Sequence, residues 1–103
     1  GLEDGEYELG GQNFTLNGRR CTLADGTLAG SASDQMACLR TAVTEMNISL
    51  HDAVHAASTN PARGLGVADR YGSLSPTHTA SLVLLDKTTL EVKHVILRGK
   101  LLE

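Results

Sequence analysis

Three groups of residues in this sequence are of types that can do chemistry. The first is Asp25-Gly26-Thr27-Leu28-Ala29-Gly30-Ser31. Its two glycines let the backbone approach a ligand closely, because they carry no Cβ. Ser31 stands where a helical pattern begins, and the first turn of a helix holds N–H groups without intrahelical partners. The spacing predicts a loop that opens a helix and could meet an oxygen-rich or anionic ligand. An ordinary strand-to-helix turn with a serine cap satisfies the same spacing. The second group is His51 and His55, at a separation that lets two imidazoles on one helix share a metal ion. Asp52-Ala53-Val54 lie between them. No Glu follows the first His and no third ligand is near, so the pair reads as structural. The third group is Cys21 and Cys38, which match no metal spacing and read as free thiols of a reducing compartment ahead of an isolated disulfide. The paired Arg19-Arg20 read as an exposed strand face.

The elements that hold these residues follow from periodicity. Gln12 to Leu16 and Arg19 to Leu23 flank Asn17-Gly18, a pair suited to a type I′ turn. Residues 12–23 are therefore expected to form a β-hairpin. The acidic, Gly-rich residues 1–11 read as a solvated segment leading into an edge strand. Ala32, Met36, Leu39, Val43 and Met46 recur at helical spacing and predict a helix over Ser31 to Met46. Ser31 with Asp34 fits a capping box, and Ser33 is an alternative cap. Asn47-Ile48 breaks the pattern. Ser49 with Asp52 starts a second helix whose Leu50, Val54 and Ala57 share a face. Asn60-Pro61 is expected to end it, because a residue before proline avoids the helical region. Pro61 to Gly66 can then form one further turn. Residues 69–79 predict a loop, including His78. Ala80 to Asp86 is an apolar run suited to a buried strand. Lys87-Thr88-Thr89 is a turn, Leu90 to Leu97 a strand and Arg98-Gly99-Lys100 a closing turn. Leu102-Glu103 reads as a cloning remnant without structural weight.

Composition narrows the function classes. With 103 residues there is room for one small domain and a modest core. Tyr7, Phe14 and Tyr71 are the only aromatic residues of the Phe, Trp and Tyr types, so Leu, Val, Ile, Ala and Met must build that core. The net charge is −3 and spread along the chain, with no basic patch, which argues against nucleic-acid binding. No apolar run reaches membrane-spanning length. The chain does not begin with Met and is expected to be an excised piece.

In this order, the hairpin, Gly26-Thr27-Leu28-Ala29-Gly30-Ser31, the two helices, Asn60-Pro61-Ala62-Arg63, Gly72-Ser73-Leu74 and Ala80-Ser81-Leu82-Val83-Leu84-Leu85-Asp86 resemble the C-terminal part of the N-acetylglucosamine-6-phosphate deacetylases, a branch of the amidohydrolase superfamily. The Gly-Thr-Leu-Ala-Gly-Ser loop is the more specific motif; the Asn-Pro-Ala-Arg and Gly-Ser-Leu elements are shared more widely. Where many amidohydrolases continue Pro-Gly-Lys and Ala-Asp, this chain has Pro76-Thr77-His78-Thr79 and Ala80-Ser81. The resemblance implies an α+β piece: an N-terminal hairpin, two main helices and C-terminal strands. Residues 1–66 would close a (β/α)8 barrel, and 67–103 would supply strands of a small β-sandwich. It implies a cytoplasmic amide hydrolase that releases acetate from N-acetylglucosamine 6-phosphate using zinc or a similar divalent metal. It places Leu28, Ala29 and Gly30 at the amino-sugar site, with Thr27 and Ser31 in support. The metal ligands and the catalytic Asp would lie upstream, and Asp25 is not that residue. No catalytic or metal-binding residue is expected in this chain, which alone should be inactive. The strands at Leu82 to Leu85 and Val95 to Leu97 would lack partners, so a homo-oligomer is expected. The alternatives are a piece of another amidohydrolase or a small non-enzymatic α+β binding domain.

Overall fold

Glycine placement shapes the N-terminal sheet. The computed structural model describes residues 2–102. The chain divides into two compact units, Gly1–Cys38 and Leu39–Glu103, where its length alone suggests one domain. In the first unit, β1 (Gly5–Leu9), β2 (Gln12–Asn17), β3 (Arg20–Leu23) and β4 (Leu28–Ser31) form an antiparallel sheet in that order. The expected hairpin over 12–23 is present as β2–β3, inside a larger sheet. Gly10 and Gly11, at φ 61° and 81°, join β1 to β2. Two positive φ values are what a type I′ turn needs, and Gly-Gly is a sequence signal for it. The β2–β3 turn differs from expectation by one position. Asn17 pairs with Arg20, so Gly18-Arg19 are its central residues. Only Gly18 among them has positive φ, at 58°, which suits a type II′ turn with Gly first. Asp4 Oδ1 accepts the Gly18 N–H at 2.7 Å. Tyr7 and Phe14 pair across β1–β2 and stack with centroids 5.6 Å apart. Leu16 and Cys21, opposite each other on β2–β3, are buried.

Helix α1 runs over Gln35–Thr44, shorter at both ends than Ser31 to Met46. Asp34 caps it: Oδ1 accepts the Ala37 N–H at 2.7 Å. A carboxylate there also complements the positive end of the helix dipole. Ser31 belongs to β4, and its Oγ accepts the Ser33 N–H at 3.1 Å. Asn47, at φ 56°, turns the chain after α1, and Ile48 N–H reaches the Ala42 carbonyl at 3.0 Å. Leu39 is buried on the expected face, while Met46 lies past the helix end and is 62% exposed.

The second helical stretch does not stop at Asn60-Pro61. It runs as α2 (Leu50–Val54), a π-helical turn (His55–Thr59) and α3 (Asn60–Gly64). Ser49 is its N-cap, accepting the Asp52 N–H at 3.1 Å and donating its hydroxyl to Asp52 Oδ2 at 2.8 Å. Thr59 and Asn60 keep helical dihedrals although proline follows. Pro61 has no N–H, and its ring crowds the carbonyl four residues back. Widening the preceding turn, with Asn60 N–H bonded to His55 O, relieves that crowding and lets the helix continue. Gly66, at φ 69°, ends it as expected. Gly66 N–H bonds Arg63 O at 3.1 Å and Val67 N–H bonds Ala62 O at 2.9 Å, a Schellman arrangement.

The loop expected after this helix packs back on it. Thr59 Oγ1 donates to the Gly72 carbonyl at 2.6 Å, and Thr79 N–H closes the loop on Arg70 O at 2.9 Å. Then β5 (Leu82–Leu85), β6 (Val92–Leu97) and β7 (Lys100–Leu102) make a second antiparallel sheet. Lys100 and Leu102, read as turn and remnant, lie in a third strand because Arg98 and Gly99, at φ 49° and 78°, form a two-residue turn. Glu103 lies outside the described residues. Leu39, Ala53, Ala62 and Leu90 are the buried apolar residues of this unit. Val83, Leu84, Leu97, Leu101 and Leu102 of the sheet are exposed, on both of its faces, since successive side chains of a strand point to opposite sides.

Candidate functional site

Residues 23–27 form the turn that delivers β4. Leu23 N–H bonds Thr27 O at 2.8 Å and Gly26 N–H bonds Leu23 O at 2.9 Å. Gly26 sits at φ 85°, which an L side chain would strain. Asp25 Oδ1 accepts the Thr27 N–H at 2.9 Å. That backbone bond, followed by the Thr27 side chain, holds the Asp25 carboxyl below its usual range. Asp25 is thus engaged in shaping the turn.

Leu28, Ala29 and Gly30 follow as strand, where the spacing suggests a loop opening a helix. Gly30 pairs with Cys21 and Leu28 with Thr22, so the register shifts and Ala29 is the extra residue of a β-bulge. Bulges re-aim side chains and recur beside functional sites. Strand β4 is the last in its sheet, so one of its edges carries backbone donors and acceptors without a strand partner. All four of its residues are exposed, Leu28 at 67%. Among the described residues, a Cβ built on Gly30 would meet no heavy atom beyond those of its two chain neighbours within 4 Å. The first turn of α1 lies beyond this stretch and holds the Asp34 carboxylate at its cap, so it does not offer the anion site that the sequence suggests.

The other chemistry-bearing groups are spread out. A cavity of about 440 Å³ in the same unit is lined by Glu6, Tyr7, Glu8, Asn13, Phe14, Thr15 and Ala24, none of them in β4. Cys21 is buried and Cys38 exposed, both as free thiols. His51 and His55 stack with ring centroids 4.3 Å apart. Sequence reading treats His78 as a lone loop residue. Its Nδ1 lies 3.2 Å from both Ser73 Oγ and Ser73 O, fastening the loop on itself. Among the described residues no group of three or more His, Cys, Asp and Glu is placed to hold a metal ion. The described residues therefore assemble no set of three donors for the catalytic divalent metal that the resemblance implies. Among the described residues no helix is long and apolar enough to cross a membrane.

The chain belongs to the amidohydrolase family, whose model matches residues 14–102. Within that family its similarity is to deacetylases of amino-sugar phosphates. It is 41% identical over 101 residues to the N-acetylglucosamine-6-phosphate deacetylase of Bacillus subtilis, covering 98% of this chain and 25% of that protein. It is 39% identical over 101 residues to a putative N-acetylgalactosamine-6-phosphate deacetylase of Escherichia coli, covering 98% of this chain and 60% of that protein. A solved N-acetylglucosamine-6-phosphate deacetylase of Thermotoga maritima superposes with a TM-score of 0.86 at 31% identity, covering 98% of this chain and 27% of that one. The chain thus spans about a quarter of the length of the Bacillus and Thermotoga proteins.

Proposed function

We propose that this chain is the C-terminal part of an N-acetylglucosamine-6-phosphate deacetylase, which hydrolyses the acetamide of the sugar to acetate and a free amine. The observation that carries the reading is the free edge of β4, at the motif shared with the deacetylase resemblance. Gly30 is not glycine for the sake of this chain's own packing, since a Cβ there meets nothing within 4 Å. The space is available for a ligand at backbone distance. Leu28 offers an apolar surface beside it, and the Ala29 bulge leaves backbone groups free to meet a sugar hydroxyl or an acetamide carbonyl. Thr27 and Ser31 support the strand ends. In this reading the chain's own residues bind and orient the sugar. The zinc or similar ion of the longer protein takes its donors from outside the chain; when bound, such an ion activates water. Residues 1–66 belong to the end of the barrel and 67–103 to the strands of the small β-sandwich. The enzyme is cytoplasmic and homo-oligomeric, and the 103 residues alone are inactive.

The E. coli relative favours a second substrate, since its identity of 39% is close to the 41% of the glucosamine enzyme. The test uses the natural long protein with Gly30→Ala, assayed on both N-acetylhexosamine 6-phosphates. The expected result is a KM raised about tenfold or more, equivalent to about 1.4 kcal/mol of lost binding, with an unchanged melting midpoint. An unchanged KM on both sugars would remove Leu28, Ala29 and Gly30 from the site. Absence of deacetylation of either sugar by the unsubstituted long protein would remove the proposed activity.

A further inference from the structure

We propose that His51 and His55 form a surface chelate for a divalent transition-metal ion of the Zn²⁺, Ni²⁺ or Cu²⁺ class. Sequence spacing alone favours a structural pair. The structure adds two observations. First, the two rings lie side by side, with centroids 4.3 Å apart and planes 33° from parallel. An ion bound by two imidazoles needs both ring nitrogens at about 2.0–2.1 Å, a geometry that neighbouring rings one helical turn apart can reach by small side-chain rotations. Second, Asp52 Oδ1 lies 3.4 Å from His51 Nδ1. A carboxylate on one ring nitrogen orients the imidazole and leaves Nε2 to ligate, as the outer-shell partners of metal-binding histidines do.

The surroundings suit a cation. The Asp52 side chain is held beside the rings, its Oδ2 accepting the Ser49 hydroxyl at 2.8 Å and its Oδ1 lying 3.4 Å from His51 Nδ1. The backbone beneath is fixed: Ser49 caps the helix, and Ala53 between the two histidines is buried. The His51 side chain is 76% exposed, which gives an ion access from solvent. The pair also meets the start of the π-helical turn, a feature that recurs at functional sites. Imidazole selects Zn²⁺, Cu²⁺ and Ni²⁺ over Mg²⁺ and Ca²⁺. With two protein ligands, the remaining positions on the ion go to water or to a donor from another molecule.

The experiment is a calorimetric Ni²⁺ titration of the unsubstituted protein and of His51→Gln, His55→Gln and His94→Gln. His94, on β6, is the control. In both of the first two variants, one Ni²⁺ per chain is expected to weaken by about tenfold or more, while His94→Gln binds as the unsubstituted protein does. Unaltered binding in either His51→Gln or His55→Gln overturns the chelate. A second readout needs no variant. Diethyl pyrocarbonate labelling followed by mass spectrometry is expected to show Ni²⁺ protecting His51 and His55 together. Protection of one ring or of neither overturns the proposal.

Discussion

Gly72 should tolerate no side chain, and the size of the effect can be worked out from its surroundings. Its φ is +91°, where an L residue is strained by about 1–3 kcal/mol. A Cβ would stand 2.7 Å from the Ala62 Cβ and 3.2 Å from both Ser58 O and Thr59 Cα. Those neighbours are helix, most of it backbone, and cannot swing aside as a long side chain would. Overpacking of this kind costs about 1–3 kcal/mol. Gly72→Ala is therefore expected to lose about 3–5 kcal/mol, a large part of the roughly 5–15 kcal/mol that holds a typical domain folded. With a urea m-value of about 2 kcal/mol/M, the midpoint should fall by about 2 M. Equilibrium urea unfolding followed by circular dichroism measures this. Adding Ala62→Gly removes the closest contact and should show a favourable coupling of about 1–3 kcal/mol in a double-mutant cycle. A Gly72→Ala midpoint within about 0.3 M of the unsubstituted protein would refute the reasoning, because neither strain nor clash could then be present.

Two further predictions concern the β5–β6 turn. Leu90 is 5% exposed and sits at φ 56°, so Leu90→Ala is expected to cost about 2–5 kcal/mol in thermal or urea unfolding. Asp86 Oδ1 accepts the Thr88 and Thr89 N–H groups at 2.9 and 2.8 Å, and these bonds, that from Thr89 first, lower its pKa below 3.8. A carboxylate depressed in the folded state stabilises above its unfolded pKa, and that contribution is lost as pH falls through the folded value. The unsubstituted protein should therefore exceed Asp86→Asn in stability at pH 6, with the gap closing below about pH 3.8 in an acid series; a gap that widens in acid would contradict the sign.

Elements with local signals were legible in the sequence. The Ser49 cap, the Gly66 helix stop, the β2–β3 hairpin and the β5–β6 pair all rest on residues close together in the chain. Two local rules were overridden. Asn60 stays helical before Pro61 because the π turn absorbs the ring. The longer reach assigned to α1 fails because Asp34 competes with Ser31 as cap, and Ser31 pairs with Arg20 instead. Strand β4 was not legible at all. Leu-Ala-Gly-Ser has weak strand propensity and no buried face, and its conformation comes from pairing with β3. The candidate site shares this invisibility: periodicity suggested only a loop, and the resemblance alone pointed to Leu28, Ala29 and Gly30.

The bulge at Ala29 also bears on how copies of the chain can meet. A bare sheet edge is an open invitation to strand exchange, yet three of the four outer strands here discourage it. An incoming strand laid along β4 would lose register at the extra residue. Strand β1 carries Glu6 and Glu8, and β7 is three residues long and begins with Lys100, whereas the register shift of the β5–β6 pair puts its extra residue, Lys93, in the inner strand β6. Charges, irregular register and short length are the usual guards against runaway sheet growth. Fibre-like stacking of this chain along those edges is thereby disfavoured from the start.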